Sequence, residues 1–138
     1  MSTKRKIMLV ILSVVLVLGA YFVFSFAPHK LVNIKPSEVS SIYIFDGTTG
    51  KELSITGRND IEHIIGNLNG ITFKKDGWSL GYMGYSFRTT IYKTNGKVYK
   101  EFIINSADTI RDDPFFYRDS TNSIDYSYIR NLIDKQGS

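Results

Sequence analysis

Cysteine is absent from the 138 residues. That removes a disulfide framework, thiol catalysis and any lipid attachment through a cysteine at a membrane border. Histidine occurs only as His29 and His63, far apart in the chain, so zinc coordination has almost no ligands to draw on. Proline is confined to Pro28, Pro36 and Pro114, each at a point where the hydrophobic pattern changes. Charge is also missing from one long stretch: Ile7 to Ala27 contains neither acid nor base. A large basic excess is lacking too. Of the 17 Lys and Arg, three form the tip Lys4-Arg5-Lys6, leaving 14 against 13 Asp and Glu. The part after the charge-free stretch is therefore nearly neutral and carries no nucleic-acid footprint.

The charge-free stretch is itself a strong signal. As a helix it spans about 30 Å, the thickness of a hydrocarbon core. Fourteen of its residues are Leu, Ile, Val or Phe, worth roughly 4–8 kcal/mol toward insertion as an upper bound. The cationic tip resists translocation, so residues 1–6 are expected in the cytoplasm, 7–27 in the membrane and 28–138 outside. Tyr21, Phe22, Phe24 and Phe26 crowd the outer end. The rival is a cleaved signal peptide with Ala20 before the cut and secretion as the outcome. The length of the apolar run, and Pro28 directly after Ser25-Phe26-Ala27, favour retention as an anchor.

Residues 28–138 suffice for one packed core. Leu31 to Lys35 reads as a short extended piece. Ser41-Ile42-Tyr43-Ile44-Phe45 reads as a strand, Asp46-Gly47-Thr48-Thr49-Gly50 as a turn, and Leu53 and Ile55 as the alternating apolar positions of a hairpin partner. Ile61, Ile64, Ile65 and Leu68 carry the i, i+3, i+4, i+7 stripe of a helix, with Asn59 and Glu62 as a capping box and Gly70 at the close. Ile71 and Phe73 alternate in a further strand. Asn95-Gly96 predicts a two-residue hairpin turn in which facing positions sum to 191. Phe87–Ile104, Thr89–Phe102 and Lys93–Val98 then share the core face, and Arg88–Ile103, Thr90–Glu101 and Tyr92–Tyr99 the other. Asp108 to Arg111 and Phe115-Phe116-Tyr117 are short strand candidates. Ser123 to Lys135 reads as a second helix with Tyr128, Ile129, Leu132 and Ile133 inward. The fold class is α+β: an antiparallel sheet with two helices on one face, preceded by one transmembrane helix.

No catalytic, cofactor or metal constellation is expected. His29 stands beside the membrane exit, and His63 points away from the apolar stripe, toward solvent. Asp108, Asp112, Asp113, Asp119 and Asp125, with Ser120 and Asn122 among them, supply oxygen donors, but their spacing matches no calcium loop and Asp-Asp-Pro is ordinary turn chemistry. The segment from Gly77 to Tyr85 is the richest one. It sets Trp78, Tyr82, Met83 and Tyr85 among glycines, suited to stacking on a glycan, capturing a peptide or touching a membrane; packing back over the fold is the plainer alternative. Trp78, Tyr82, Tyr85, Tyr92 and Tyr99 are accordingly the candidate partner-binding residues.

The run of pieces DGTTGKELSI (46–55), NDIEHIIGNLNGITFKK (59–75), GYMGYSF (81–87), NGK (95–97), FFY (115–117) and IDYSYIRNLI (124–133), behind a charged tip and one span, resembles small membrane-anchored or lipoprotein-like cell-envelope proteins of Gram-positive bacteria. The resemblance covers most of residues 40–134. It implies an envelope setting and an α+β domain and transfers no activity or site residue. The chain departs from lipoprotein members in having no border cysteine. The expected role is a tethered, extracytoplasmic binding module for an envelope protein or glycan. An envelope hydrolase, with a site gathered from distant polar residues such as an Asp or Glu with Arg88 or Lys100, and a sensory input domain acting through a partner are the alternatives.

Overall fold

The computed structural model describes residues 1–119 and 123–136; Ser120 and Asn122 of the acidic segment lie outside the described residues. Helix α1 runs Thr3–Phe24, and Ser2 Oγ accepts from Arg5 N at its start. It thus takes in the cationic tip and stops short of Ala27. Its last turn closes on Ser25, whose N–H donates to Tyr21 and Phe22 carbonyls. None of its residues is buried.

The remainder is α+β. A 3-10 turn at Pro36–Glu38 leads into β1 (Val39–Asp46) and β2 (Glu52–Ile55), followed by α2 (Arg58–Asn69) and β3 (Lys74–Trp78). Then come β4 (Phe87–Lys93), β5 (Val98–Ile104), β6 (Thr109–Asp112), β7 (Phe115–Arg118) and α3 (Tyr126–Lys135). The seven strands form one sheet in the order β2-β1-β4-β5-β6-β7-β3, and every pairing is antiparallel.

Alternation along each strand gives the sheet two faces. One cross-strand row joins Asp46, Phe87, Ile104, Ile110 and Tyr117, all buried. Ile42, Ile44, Thr89, Ile91 and Phe102 extend that face. Ile61, Ile64, Ile65 and Leu68 of α2, and Ile129 and Ile133 of α3, belong to the same core cluster. Each such aliphatic side chain contributes roughly 1.5–3 kcal/mol when fully buried. Phe87 stacks on Tyr126, and Arg130 reaches Asp46 at 2.6 Å, so α3 touches this face directly. The neighbouring row, Phe45, Arg88, Ile103, Arg111 and Phe116, faces the other way.

Sequence expectations are corrected at three places. The Asn95-Gly96 register holds from Phe87–Ile104 to Ile91–Lys100, but a bulge then pairs Tyr92 with Val98. Neither Lys93–Val98 nor Tyr92–Tyr99 forms. The turn is closed by Gly96 N–H on the Lys93 carbonyl with Gly96 at φ +83°, a longer loop that needs the extra residue. Helix α2 starts at Arg58 behind Gly57 without a side-chain cap, so Asn59 and Glu62 lie inside it. The Arg58 guanidinium donates to the Val39 and Pro36 carbonyls at 2.8 and 2.6 Å, which draws the first turn back against the 3-10 turn. Gly70 closes the helix as expected, in right-handed geometry at φ −78°. The strand expected at 71–74 begins at Lys74 instead. Ile71 and Phe73 are buried, and Phe73 exchanges both backbone hydrogen bonds with His29.

Candidate functional site

Where a ligand could sit is narrowed first by the interior. Among the described residues no buried side-chain nitrogen or oxygen lacks a hydrogen-bond partner. The same residues gather no three of His, Cys, Asp and Glu closely enough to hold a metal ion. The acids of the 108–125 segment point to separate partners. Asp108 accepts from Ser106 and Thr109, Asp112 pairs with Lys100, Asp113 with Arg111, and Asp125 with His63.

The surface offers a groove of about 430 Å³ on the face turned away from the core row. Its base is Arg88, Glu101, Ile103 and Arg111, from three adjacent strands, and its wall is Tyr82, Met83 and Tyr85 from the connection between β3 and β4. That connection is a strap laid along the outer row. At one end Ser79, fully buried, donates from its N–H to the Pro114 carbonyl at 2.8 Å and from Oγ to Asp113 Oδ1 at 2.6 Å. Arg111 then holds the Tyr82 carbonyl at 2.8 Å, and the Tyr82 ring meets Phe116 edge-on at 5.1 Å. At the other end Tyr85 leans on Phe45 at 6.1 Å and under the Arg88 guanidinium at 4.7 Å. Ser86 accepts from Gly47 N at 2.7 Å. Gly47 has to be glycine for this approach, because a Cβ there would stand 2.5 Å from the Tyr85 carbonyl oxygen. Between the two fixed ends Met83 is 90 % exposed.

The charges in the groove are unequally engaged. Arg111 grips Asp113 through Nε and Nη2 at 2.7 and 3.2 Å. Hydrogen bonds from Arg111 and Ser79 hold the Asp113 carboxyl below the usual aspartate value, so this pair stays ionised and mutually satisfied. Glu101 accepts a 3.3 Å hydrogen bond from Thr90. Arg88 rests on the Tyr85 ring, and among the described residues no carboxylate lies within ion-pair distance of it. A cation on an aromatic platform with a carboxylate on the next strand can orient a polar ligand that brings an acid or hydroxyls.

The five sequence candidates lie at different places on the fold. Tyr82 and Tyr85 line the groove. Trp78 ends β3 and meets Phe115 edge-on at 5.5 Å. Tyr92 is half-buried at the hairpin end of β4, paired with Ser41 and Val98. Tyr99, at the bulge, turns to pack against the core, and its hydroxyl accepts from Asn33 N at 3.0 Å. Arg88 stands in the sequence only as an example for the hydrolase alternative and Glu101 only as a position on the hairpin's outer face, because their standing depends on which neighbours are left over, which spacing does not encode. His63 lies on the exposed face of α2 as expected, its side chain 42 % exposed, and there it stacks on Tyr128 at 3.7 Å and bonds Asp125 at 2.7 Å. No family model, curated protein or solved structure matches the chain.

Proposed function

We propose that the chain is a membrane-tethered, extracytoplasmic binding module of the cell envelope, with the strap groove as its binding face. Helix α1 is the anchor in this reading. It is long and apolar enough to cross a membrane, with mean hydropathy 2.9 and no burial against the domain, and Lys4, Arg5 and Lys6 at its start orient it with the domain outside. Helices α2 and α3 cover the same face of the sheet, linked by the hydrogen bond from Tyr128 to Asp60 at 2.5 Å, which leaves the opposite face for the strap and its ligand. The observation that carries the reading is Arg88, a guanidinium held on Tyr85 with no carboxylate among the described residues within ion-pair distance of it. The ligand is an envelope protein or glycan segment that presents an acidic group there. Photo-crosslinking from position 83 in intact cells, followed by mass spectrometry, is the test. Discrete adducts are expected that disappear in an Arg88→Ala, Tyr82→Ala double variant of unchanged abundance. An adduct pattern indifferent to those substitutions refutes the groove as the binding face.

A further inference from the structure

Helix α1 does not end in a free linker. Lys75 of β3 donates to Ser25 Oγ at 3.0 Å, and its ammonium lies 5.1 Å from the Phe26 ring centroid and 4.2 Å from that of Phe115. Phe26 meets Phe115 edge-on at 6.3 Å, and Phe115 meets Trp78 at 5.5 Å. His29 fixes the next step by pairing with Phe73, so the chain enters the domain at the start of the same edge strand. Strand β3 pairs only with β7 and forms one border of the sheet. Trp78 is nevertheless 57 % exposed, a large apolar side chain two ring contacts from the end of α1.

We propose that Trp78 lies in the headgroup layer of the bilayer that holds α1, so that the β3 border is seated on the membrane surface. The inference rests on reading α1 as the span. Three observations select lipid over another occupant. The ring ladder from Phe26 to Trp78 continues the aromatic end of the span without a break. Indole, with an apolar body and one N–H donor, is the side chain best suited to the water–hydrocarbon boundary. Lys74, exposed on the same short strand, offers a cation to lipid phosphates.

Trp78 is the only tryptophan in the chain, so its fluorescence reports the site directly. The full chain is reconstituted into phosphatidylcholine–phosphatidylglycerol vesicles, either plain or brominated at the upper acyl carbons, and floated on a density gradient. Quenching of about twofold by the brominated lipid is expected, as for an interfacial aromatic, with aqueous iodide quenching weakly. Emission unaffected by bromine overturns the inference, and shielding from iodide in that case marks a protein occupant. The Phe26→Trp, Trp78→Phe variant separates the two levels. If position 26 is quenched and position 78 is not, the anchor stands and the seating of β3 fails. If the chain does not float, the anchor reading falls, and this inference with it.

Discussion

Asp46 shows how a single turn residue ties the two layers of the fold. It is fully buried, and its carboxylate accepts from Thr49 Oγ1 and Arg130 Nη1, both at 2.6 Å, and from Thr48 N at 3.0 Å. Burial alone pushes this carboxyl up, but the hydrogen bonds from Thr49, Thr48 and Arg130 outweigh it and hold the group below the ordinary aspartate value. A depressed carboxylate contributes stability that is fully present above the unfolded value and is lost as pH falls through the folded one. The Asp46→Asn variant should therefore be less stable at neutral pH by about 2–4 kcal/mol, toward the low end for a broken buried pair because Arg130 keeps some access to water. Its stability should also fall less steeply than the parent's below about pH 4. Urea midpoints between pH 3 and 7 measure both effects, and parallel curves would remove Asp46 from the acid response.

Between elements, the contact of α2 with α3 is made at their polar margins as well as in the core. His63 stacks on Tyr128, bonds Asp125, and leaves the Tyr128 hydroxyl to donate to Asp60. The Asp60 carboxylate that accepts this proton pushes the Tyr128 phenol up, and the His63 hydrogen bond holds Asp125 down. Replacing Tyr128 by Phe keeps the stack and removes one bond to a charged group. A loss of about 0.5–1 kcal/mol is expected, seen as a lower melting temperature, whereas Tyr128→Ala should cost more than the Phe variant. The helices themselves were legible from Ile61, Ile64, Ile65, Leu68, Ile129 and Ile133, because burial at helical spacing writes itself into sequence. Hairpin register was legible from the Asn95-Gly96 turn, up to Ile91–Lys100. The bulge beyond it, the Arg58 buttress and the displacement of β3 past Phe73 were not. Each depends on a contact with residues distant in sequence, such as Arg58 with Val39 or Phe73 with His29. Part of the candidate site was readable on similar terms: Tyr82 and Tyr85 stand out as loop aromatics and Arg88 as a polar position of the hairpin, while which guanidinium is engaged depends on the Arg111–Asp113 pair, distant from it in sequence.

For the molecule as a whole, the topology proposed from Lys4, Arg5 and Lys6 makes a direct expectation. Protease added to intact cells should degrade the domain beyond Pro28, and inverted vesicles should protect it; the reverse pattern would place the domain in the cytoplasm. The close coupling of Ser25 and His29 to β3 has a further consequence in that topology. The leash is effectively of zero length. Ten flexible residues at the same point would let the domain wander by ~17 Å, but Lys75 and Phe73 grip the chain within five residues of the last helical turn. What the groove can capture is therefore restricted to molecules that come within one domain's breadth of the lipid surface, and material deeper in the wall is beyond its grasp.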